Sequence, residues 1–250
     1  MFSIEIECGA GDREILIAEL WERGSAGIVE TGEERLRAFF EESAGREAIL
    51  TAFPGAKLRA EEDRDWVQAA RDLLQPMEVG ERFFLVPEWR GDPAPPGRFR
   101  MVVNPGMAFG TGVHETTQLA LEALERHIRP GMRVLDVGAG SGILTRAARL
   151  LGAERAWGCD IDAVAVGIAG EGFVGSADAV RNAAVDLVVA NISPEAIVSL
   201  APDLRRVLRP GGVLLASGFE TYEAPKVRAA LKDVREVREK GRWVLIAAGG

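Results

Sequence analysis

Apolar and polar residues change their period along this chain, and the changes mark its elements. Ser3-Ile-Glu-Ile-Glu-Cys8 alternates with period two, as a half-buried strand does. Between Asp12 and Arg23, the residues Ile15, Leu16, Ala18 and Leu20 recur at helical spacing, and Gly24 can stop that helix. Ala26 to Glu30, a turn at Thr31-Gly32, and Arg35 to Phe40 predict a hairpin. A short helix over Ala44 to Leu50 and a strand over Ala56 to Ala60 complete β-α-β-β-α-β, the split ferredoxin-like order. Glu61 to Gln75 is polar with one helical stripe (Trp66, Ala69, Ala70, Leu73) and ends at Pro76, which predicts a connecting helix. Two strands, Glu81–Pro87 and Arg98–Val103, then flank a loop rich in Pro and Gly over 91–97.

From Glu115 onward strands and helices alternate. Strands are predicted at Arg133–Val137, Arg155–Asp160, Gly172–Val174, Asp186–Asn191 and Gly212–Ser217, with helices at about 143–151, 194–208 and 221–231. The strands are mostly continuous apolar runs, as in a parallel sheet covered on both faces. The last two segments, Val234–Glu239 and Arg242–Ala248, form a hairpin around Lys240-Gly241. The fold class is therefore α/β: a Rossmann-like, doubly wound, mostly parallel sheet with an antiparallel edge strand, preceded by a small ferredoxin-like α+β domain. The expected division is a small domain over 1–60, a linker helix with a hinge over 61–76, and the large domain over 77–250.

Composition narrows the class. The chain has 250 residues, 47% of them hydrophobic and 27% charged, which suits a globular protein rather than a disordered one. No apolar run reaches the roughly 18 residues of a membrane span. The first residues carry acids and lack a basic segment, so no signal peptide is expected and a cytoplasmic location is. Cys8 and Cys159, with His114 and His127, do not make a metal site, so no metal is expected. The net charge of −8 argues against a nucleic-acid footprint. Residues 1–60 hold twelve acids and seven bases, a surplus that is either solvated surface or a face for a basic partner. A monomer is expected.

The candidate chemistry begins at Arg133-Val-Leu-Asp-Val-Gly-Ala-Gly-Ser-Gly-Ile-Leu144, a strand, a glycine turn and a helix start. Gly138 and Gly140 let the backbone approach a ligand, and the helix N-terminus behind them offers free N–H groups. A dinucleotide site would use G-x-G-x-x-G around a pyrophosphate. Here the spacing is G-x-G-x-G and Asp136 precedes it. A carboxylate there repels phosphate and suits the ammonium of an amino-acid tail. S-adenosylmethionine has such a tail and no phosphate. Asp160, ending the next strand, can accept bonds from both ribose hydroxyls, while Asp162 reads better as a helix N-cap. Ser176 or Asp178 could bond an adenine amine, or simply belong to a solvated loop. Asn191 ends the fourth strand, where its amide could meet an incoming amine and the cofactor; a turn role is the alternative.

Asn104-Pro-Gly-Met-Ala-Phe-Gly-Thr-Gly-Val-His-Glu-Thr-Thr117 is the most unusual stretch, a glycine-rich loop leading into a helix capped by Thr116 or Thr117. Phe109 could lie against a sulfonium, since cations sit well on aromatic faces. Thr111 and Thr117 are placed on the cofactor side, and His114 is either a cap or a base. This loop, with Val134–Leu144, Gly158–Asp162, Val188–Ile192 and Asp65-Trp66, resembles the ribosomal protein L-eleven methyltransferases over most of the chain. The resemblance implies a ferredoxin-like substrate-recognition domain joined to a Rossmann-like catalytic domain. It also implies S-adenosylmethionine as cofactor, S-adenosylhomocysteine as product, and methylation of amines on one basic ribosomal protein. Carried over residue by residue, the cofactor contacts are Thr117, Gly138, Asp160 and Asn191. Asn104 stands where an acid is usual, Ser193 replaces a leucine, Ala70 a tryptophan, and the segment 160–191 is shorter than the family's. Competing readings are a lysine methyltransferase for another protein, a nicotinamide-dependent oxidoreductase and a non-catalytic binding module.

Overall fold

The structure, a computed structural model, describes residues 2–9, 13–32, 35–60, 75–104, 114–170 and 172–250. The chain divides into two compact units, Met1–Leu73 and Leu74–Gly250. The expected linker helix falls almost wholly on residues 61–74 and lies outside the described residues.

The first unit runs β1 (Phe2–Glu7), α1 (Arg13–Glu22), β2 (Gly27–Gly32), β3 (Arg35–Phe40), α2 (Arg46–Ala52) and β4 (Lys57–Ala60). Its sheet order is β2-β3-β1-β4 with all neighbours antiparallel, which is the ferredoxin-like topology. Phe2, Ile4, Leu36 and Phe40 from the strands and Leu20 and Ile49 from the helices form its core, with Phe2 and Phe40 stacked 5.6 Å apart. Thr31-Gly32 is not the turn expected from sequence. β2 continues through Gly32, which pairs with Arg35 after a bulge, so strand pairing overrides the local turn preference.

The second unit holds a small sheet, β5 (Met77–Val79), β6 (Phe83–Pro87) and β7 (Phe99–Val103), in which β6 and β7 run parallel. It then builds α3 (Glu115–His127), β8 (Arg133–Val137), α4 (Ile143–Leu150), β9 (Arg155–Asp160), α5 (Ala163–Ala169), β10 (Gly172–Val174), β11 (Val185–Asn191), α6 (Pro194–Arg206), β12 (Leu208–Glu220), α7 (Ala224–Leu231), β13 (Val234–Lys240) and β14 (Trp243–Gly249). The large sheet is ordered β10-β9-β8-β11-β12-β14-β13. Successive residues on one strand serve opposite cores: Val134 and Val189 pack with Leu121 and Leu124 of α3, whereas Leu135 and Val188 pack with Ile197 and Leu204 of α6. Burial on both faces is why these strands read as unbroken apolar runs.

One expectation about the sheet is corrected. The antiparallel strand is β14, and it lies between β12 and β13 rather than at the edge. Val244 to Ala248 are buried, while β13 alternates Glu and Arg with Val. The apolar strand therefore takes the inner place, and the charged one forms the edge, where charge discourages further pairing. Among the described residues no helix is long and apolar enough to cross a membrane.

Candidate active site

The strand order reverses between β8 and β11, and a doubly wound sheet places its ligand crevice at the carboxyl ends of the strands there. Asp136, Asp160 and Asn191 all stand at or near those ends. The turn after β8 holds three glycines at positive φ, Gly138 (+73°), Gly140 (+51°) and Gly142 (+70°), a conformation that costs other residues dearly. A Cβ on Gly138 would collide with the Ile192 side chain, and one on Gly142 would stand 2.9 Å from Ala169.

Two carboxylates each accept one backbone amide around this turn, Asp160 from Gly140 and Asp136 from Thr145. Asp136 is buried, and its Oδ2 accepts from both the backbone N (3.0 Å) and Oγ1 (2.8 Å) of Thr145. Asp160 Oδ2 accepts from Gly140 N at 2.9 Å, and its Oδ1 from Asp162 N at 3.0 Å. The remaining turn amides of Gly138, Ala139 and Gly142 donate to the carbonyls of Cys159 and Ala139. The amides of Gly138, Ala139, Gly140, Gly142 and Thr145 thus already have acceptors within the chain. A pyrophosphate would find two acids and few donors, so the site fits a cofactor without phosphate.

Among the described residues, three buried oxygens in this unit lack a hydrogen-bond partner: Asp136 Oδ1, Asn191 Oδ1 and Ser176 Oγ. Buried polar atoms are nearly always satisfied, and an orphan at a functional site points to an absent ligand. S-adenosylmethionine offers matching groups in its ammonium, its ribose hydroxyls and its adenine amine. Burial pushes the Asp136 carboxyl up to about 6; the Thr145 hydroxyl and amide oppose this, and the Asp160 charge adds to it. The neighbouring Cys159 thiol is pushed up to about 12 by burial and by Asp136, so it is not a nucleophile at neutral pH.

Asn191 and Thr117 meet across the chain, with Asn191 Nδ2 donating to Thr117 Oγ1 at 3.4 Å. Thr117 is buried in the first turn of α3, and the residue capping that helix is His114, not a threonine. His114 Nδ1 accepts from Thr116 N and lies 2.8 Å from Thr116 Oγ1, with Trp243 packed edge-on against the ring. The threonines are drawn inward because their β-branched bodies pack below the helix start, which leaves the capping position to the histidine. Asp162 caps α5 as expected. Ser193 caps α6, which gives a local reason for a serine there. Of the adenine-side pair, Ser176 Oγ is buried and Asp178 is exposed. Phe109 and Thr111 lie outside the described residues.

Sequence reasoning missed Thr145, Ile192 and Gly218. Thr145 orients Asp136, Ile192 fills the space that Gly138 leaves, and Gly218 lets β12 close against the Ile192 backbone. Each acts through a contact between distant segments, and only the small residue at position 218 hinted at one.

A doubly wound sheet with β14 inserted antiparallel next to its edge, and a glycine turn flanked by Asp136 and Asp160, define a class I S-adenosylmethionine-dependent methyltransferase. The family model described as ribosomal protein L11 methyltransferase (PrmA) matches residues 27–249. The ribosomal protein L11 methyltransferase of Symbiobacterium thermophilum is 38% identical over 252 residues, spanning 95% of this chain and 82% of its own. That of Desulfosudis oleivorans is 41% identical over 206 residues, spanning 75% and 68%. The crystal structure of ribosomal protein L11 methylase from Lactobacillus delbrueckii subsp. bulgaricus superposes with a TM-score of 0.63 at 30% identity, covering 70% of this chain and 96% of that one. The chain belongs to the ribosomal protein L11 methyltransferase family.

Proposed function

We propose that this enzyme methylates amino groups of ribosomal protein L11, with S-adenosylmethionine held by the residues after β8, β9 and β11. The observation that carries the assignment is Asn191 Oδ1, a buried acceptor at the mouth of the crevice that has no partner among the described residues. When bound, the cofactor supplies a methyl group already activated by its sulfonium, so the protein's task is alignment. Asp160 would accept from the ribose hydroxyls, Asp136 Oδ1 from the ammonium, and Ser176 or Asp178 from the adenine amine, while Gly138 and Gly140 would allow the backbone its close approach. Thr117 holds the Asn191 amide, whose Oδ1 would accept an N–H of the incoming amine and so orient it for attack. The amine loses its proton to water before attack. Phe109 is proposed to lie beside the sulfonium and Thr111 to contact the cofactor. Incubation with labelled S-adenosylmethionine and purified L11 should label that protein, and preferential labelling of another protein would redirect the assignment.

Asp136 makes the cofactor affinity pH-dependent. Its carboxyl titrates at about 6 in the folded chain against 3.8 unperturbed. Because the folded value is raised, its contribution to stability is full below the unfolded value and is lost as pH rises through about 6, roughly 3 kcal/mol in all. An ammonium bound beside Asp136 favours the ionised form. Affinity for S-adenosylhomocysteine should therefore fall as pH falls through 6, by up to about tenfold per unit. Calorimetry across this range should show the slope in the parent and none in Asp136→Asn. A slope kept by the variant would remove Asp136 from the site.

Residues 1–60 are proposed as the substrate-recognition domain, joined to the catalytic domain by the linker over 61–76, with the enzyme acting as a cytoplasmic monomer without a metal. The support for recognition is the acidic surplus of residues 1–60 facing a basic substrate. Glu41 and Glu47 are exposed there and lie far from the β8 to β11 chemistry in sequence. Reversing both to lysine should raise KM for L11 by about three- to tenfold at low salt and leave kcat intact, with the difference shrinking as salt is added. An unchanged KM would mean that these acids are plain surface.

A further inference from the structure

We propose that the end of the large sheet opposite the active site binds a nucleotide, its phosphate between Arg155 and Arg181 and its base on Trp157. Strand register sets Arg133 and Arg155 side by side at the starts of β8 and β9. Like charges opposed in this way repel each other. One carboxylate, Glu154, reaches Arg133 at 3.7 Å. The side chains of Arg155 and Arg181 have no hydrogen bond or ion pair among the described residues, and both are exposed. With Trp157, Val180 and Ala184, these three arginines line a cavity of about 430 Å³. That is within the size of small-ligand sites.

The cavity is braced by another arginine. Arg206 on α6 donates to the carbonyls of Val180 (2.8 Å), Ala177 and Asp178 (both 3.2 Å) and to Asn182 Oδ1 (2.6 Å). It also pairs with Asp203 at 2.8 Å. The segment that carries Arg181 is therefore pinned to the body of the unit before any ligand arrives. Trp157 lies two residues along β9 from Arg155, on the same face of the sheet, and is half-buried against the core beside Val180. Guanidinium groups match phosphate oxygens in pairs, and an indole is a platform for any base. An inorganic anion would leave the indole unused, and an uncharged aromatic would leave the arginines uncompensated; a nucleotide uses both.

Arg155 and Asp160 are at opposite ends of β9, roughly 16 Å apart at strand spacing. Occupancy here is accordingly independent of the cofactor. This separates it from the proposed methyl transfer, and either could fail alone. The same chemistry comes from a free nucleotide or from one unit of an RNA strand.

The test is calorimetry of the full chain saturated with S-adenosylhomocysteine, so that the adenosine site is blocked, using uridine monophosphate, inorganic phosphate and a tetrauridylate as probes. Uridine monophosphate should bind, more tightly than phosphate. Arg155→Ala with Arg181→Ala should weaken it at least tenfold while Tm and methyl transfer stay at parent values. Trp157→Leu should weaken uridine monophosphate and leave phosphate unchanged. Tighter binding of tetrauridylate identifies an RNA strand as the source, and equal binding a free nucleotide. No binding under cofactor saturation, equal binding in the double variant, or phosphate binding as tightly as the nucleotide would overturn the proposal.

Discussion

Asn191→Ala should lower kcat by about 10²- to 10³-fold, the usual loss when a preorganised polar group is removed from a reacting centre, while the Kd for S-adenosylhomocysteine moves by less than about threefold. The amide is held at one end by Thr117 and carries an unsatisfied oxygen at the other. An unsatisfied buried acceptor costs a folded protein about 1–3 kcal/mol. The same substitution should therefore leave Tm unchanged or raise it slightly, the signature of a residue kept for function against stability. Thr117→Val, which frees the amide to rotate, should lose about tenfold in kcat through misalignment alone. Steady-state kinetics with a thermal melt check both variants. Turnover of Asn191→Ala within threefold of the parent would end the positioning role.

The second large effect is expected at Gly218, which lies outside the cofactor motifs in sequence but against Ile192 in the fold. Gly218 sits at φ +103° in the bulge of β12 between Ser217 and Phe219. Ile192 N donates to Ser217 O at 3.1 Å, so the two segments are in backbone contact. A Cβ at 218 would press on the Ile192 carbonyl oxygen and stand 2.9 Å from its carbon and nitrogen. These are backbone atoms and cannot swing aside. Gly218→Ala should cost about 2–4 kcal/mol from overpacking and backbone strain together. Tm should fall by roughly 5–15 °C. Because the displaced peptide follows Asn191 directly, kcat/KM should fall more than about tenfold even at temperatures where the variant is folded. Gly211→Ala is the matched control: its φ is +82°, with nothing within 4 Å of the added carbon. It should lose a little stability and no activity.

How much of this was legible beforehand depended on the range of the interaction. The periods of β1, β8, β9 and β11 and the Asp162 cap of α5 are local properties, and each appeared close to where sequence placed it. The glycine turn was legible because three positive-φ glycines in five residues leave few other conformations. The cap of α3 was misplaced because a threonine is the better cap in isolation, and burial of Thr116 and Thr117 outweighed that preference. The turn at Thr31-Gly32 was misplaced for a like reason, with strand pairing winning.

The order of the last two strands shows the division most clearly. Sequence determined that Val234–Glu239 and Arg242–Ala248 would pair, since hairpin register is a matter of neighbours. Sequence also determined the family, through motifs whose residues are contiguous. Which hairpin strand would face β12 was decided by the core, because the apolar strand could be buried on both faces and the charged one could not. The same holds at the active site. Asp136, Asp160 and Asn191 were visible as residue types at strand ends. That Asp136 is tied to Thr145, that Asp160 occupies Gly140, and that Asn191 is left with an unpaired oxygen were decided by packing. Such contacts join segments many residues apart, and no local pattern encodes them.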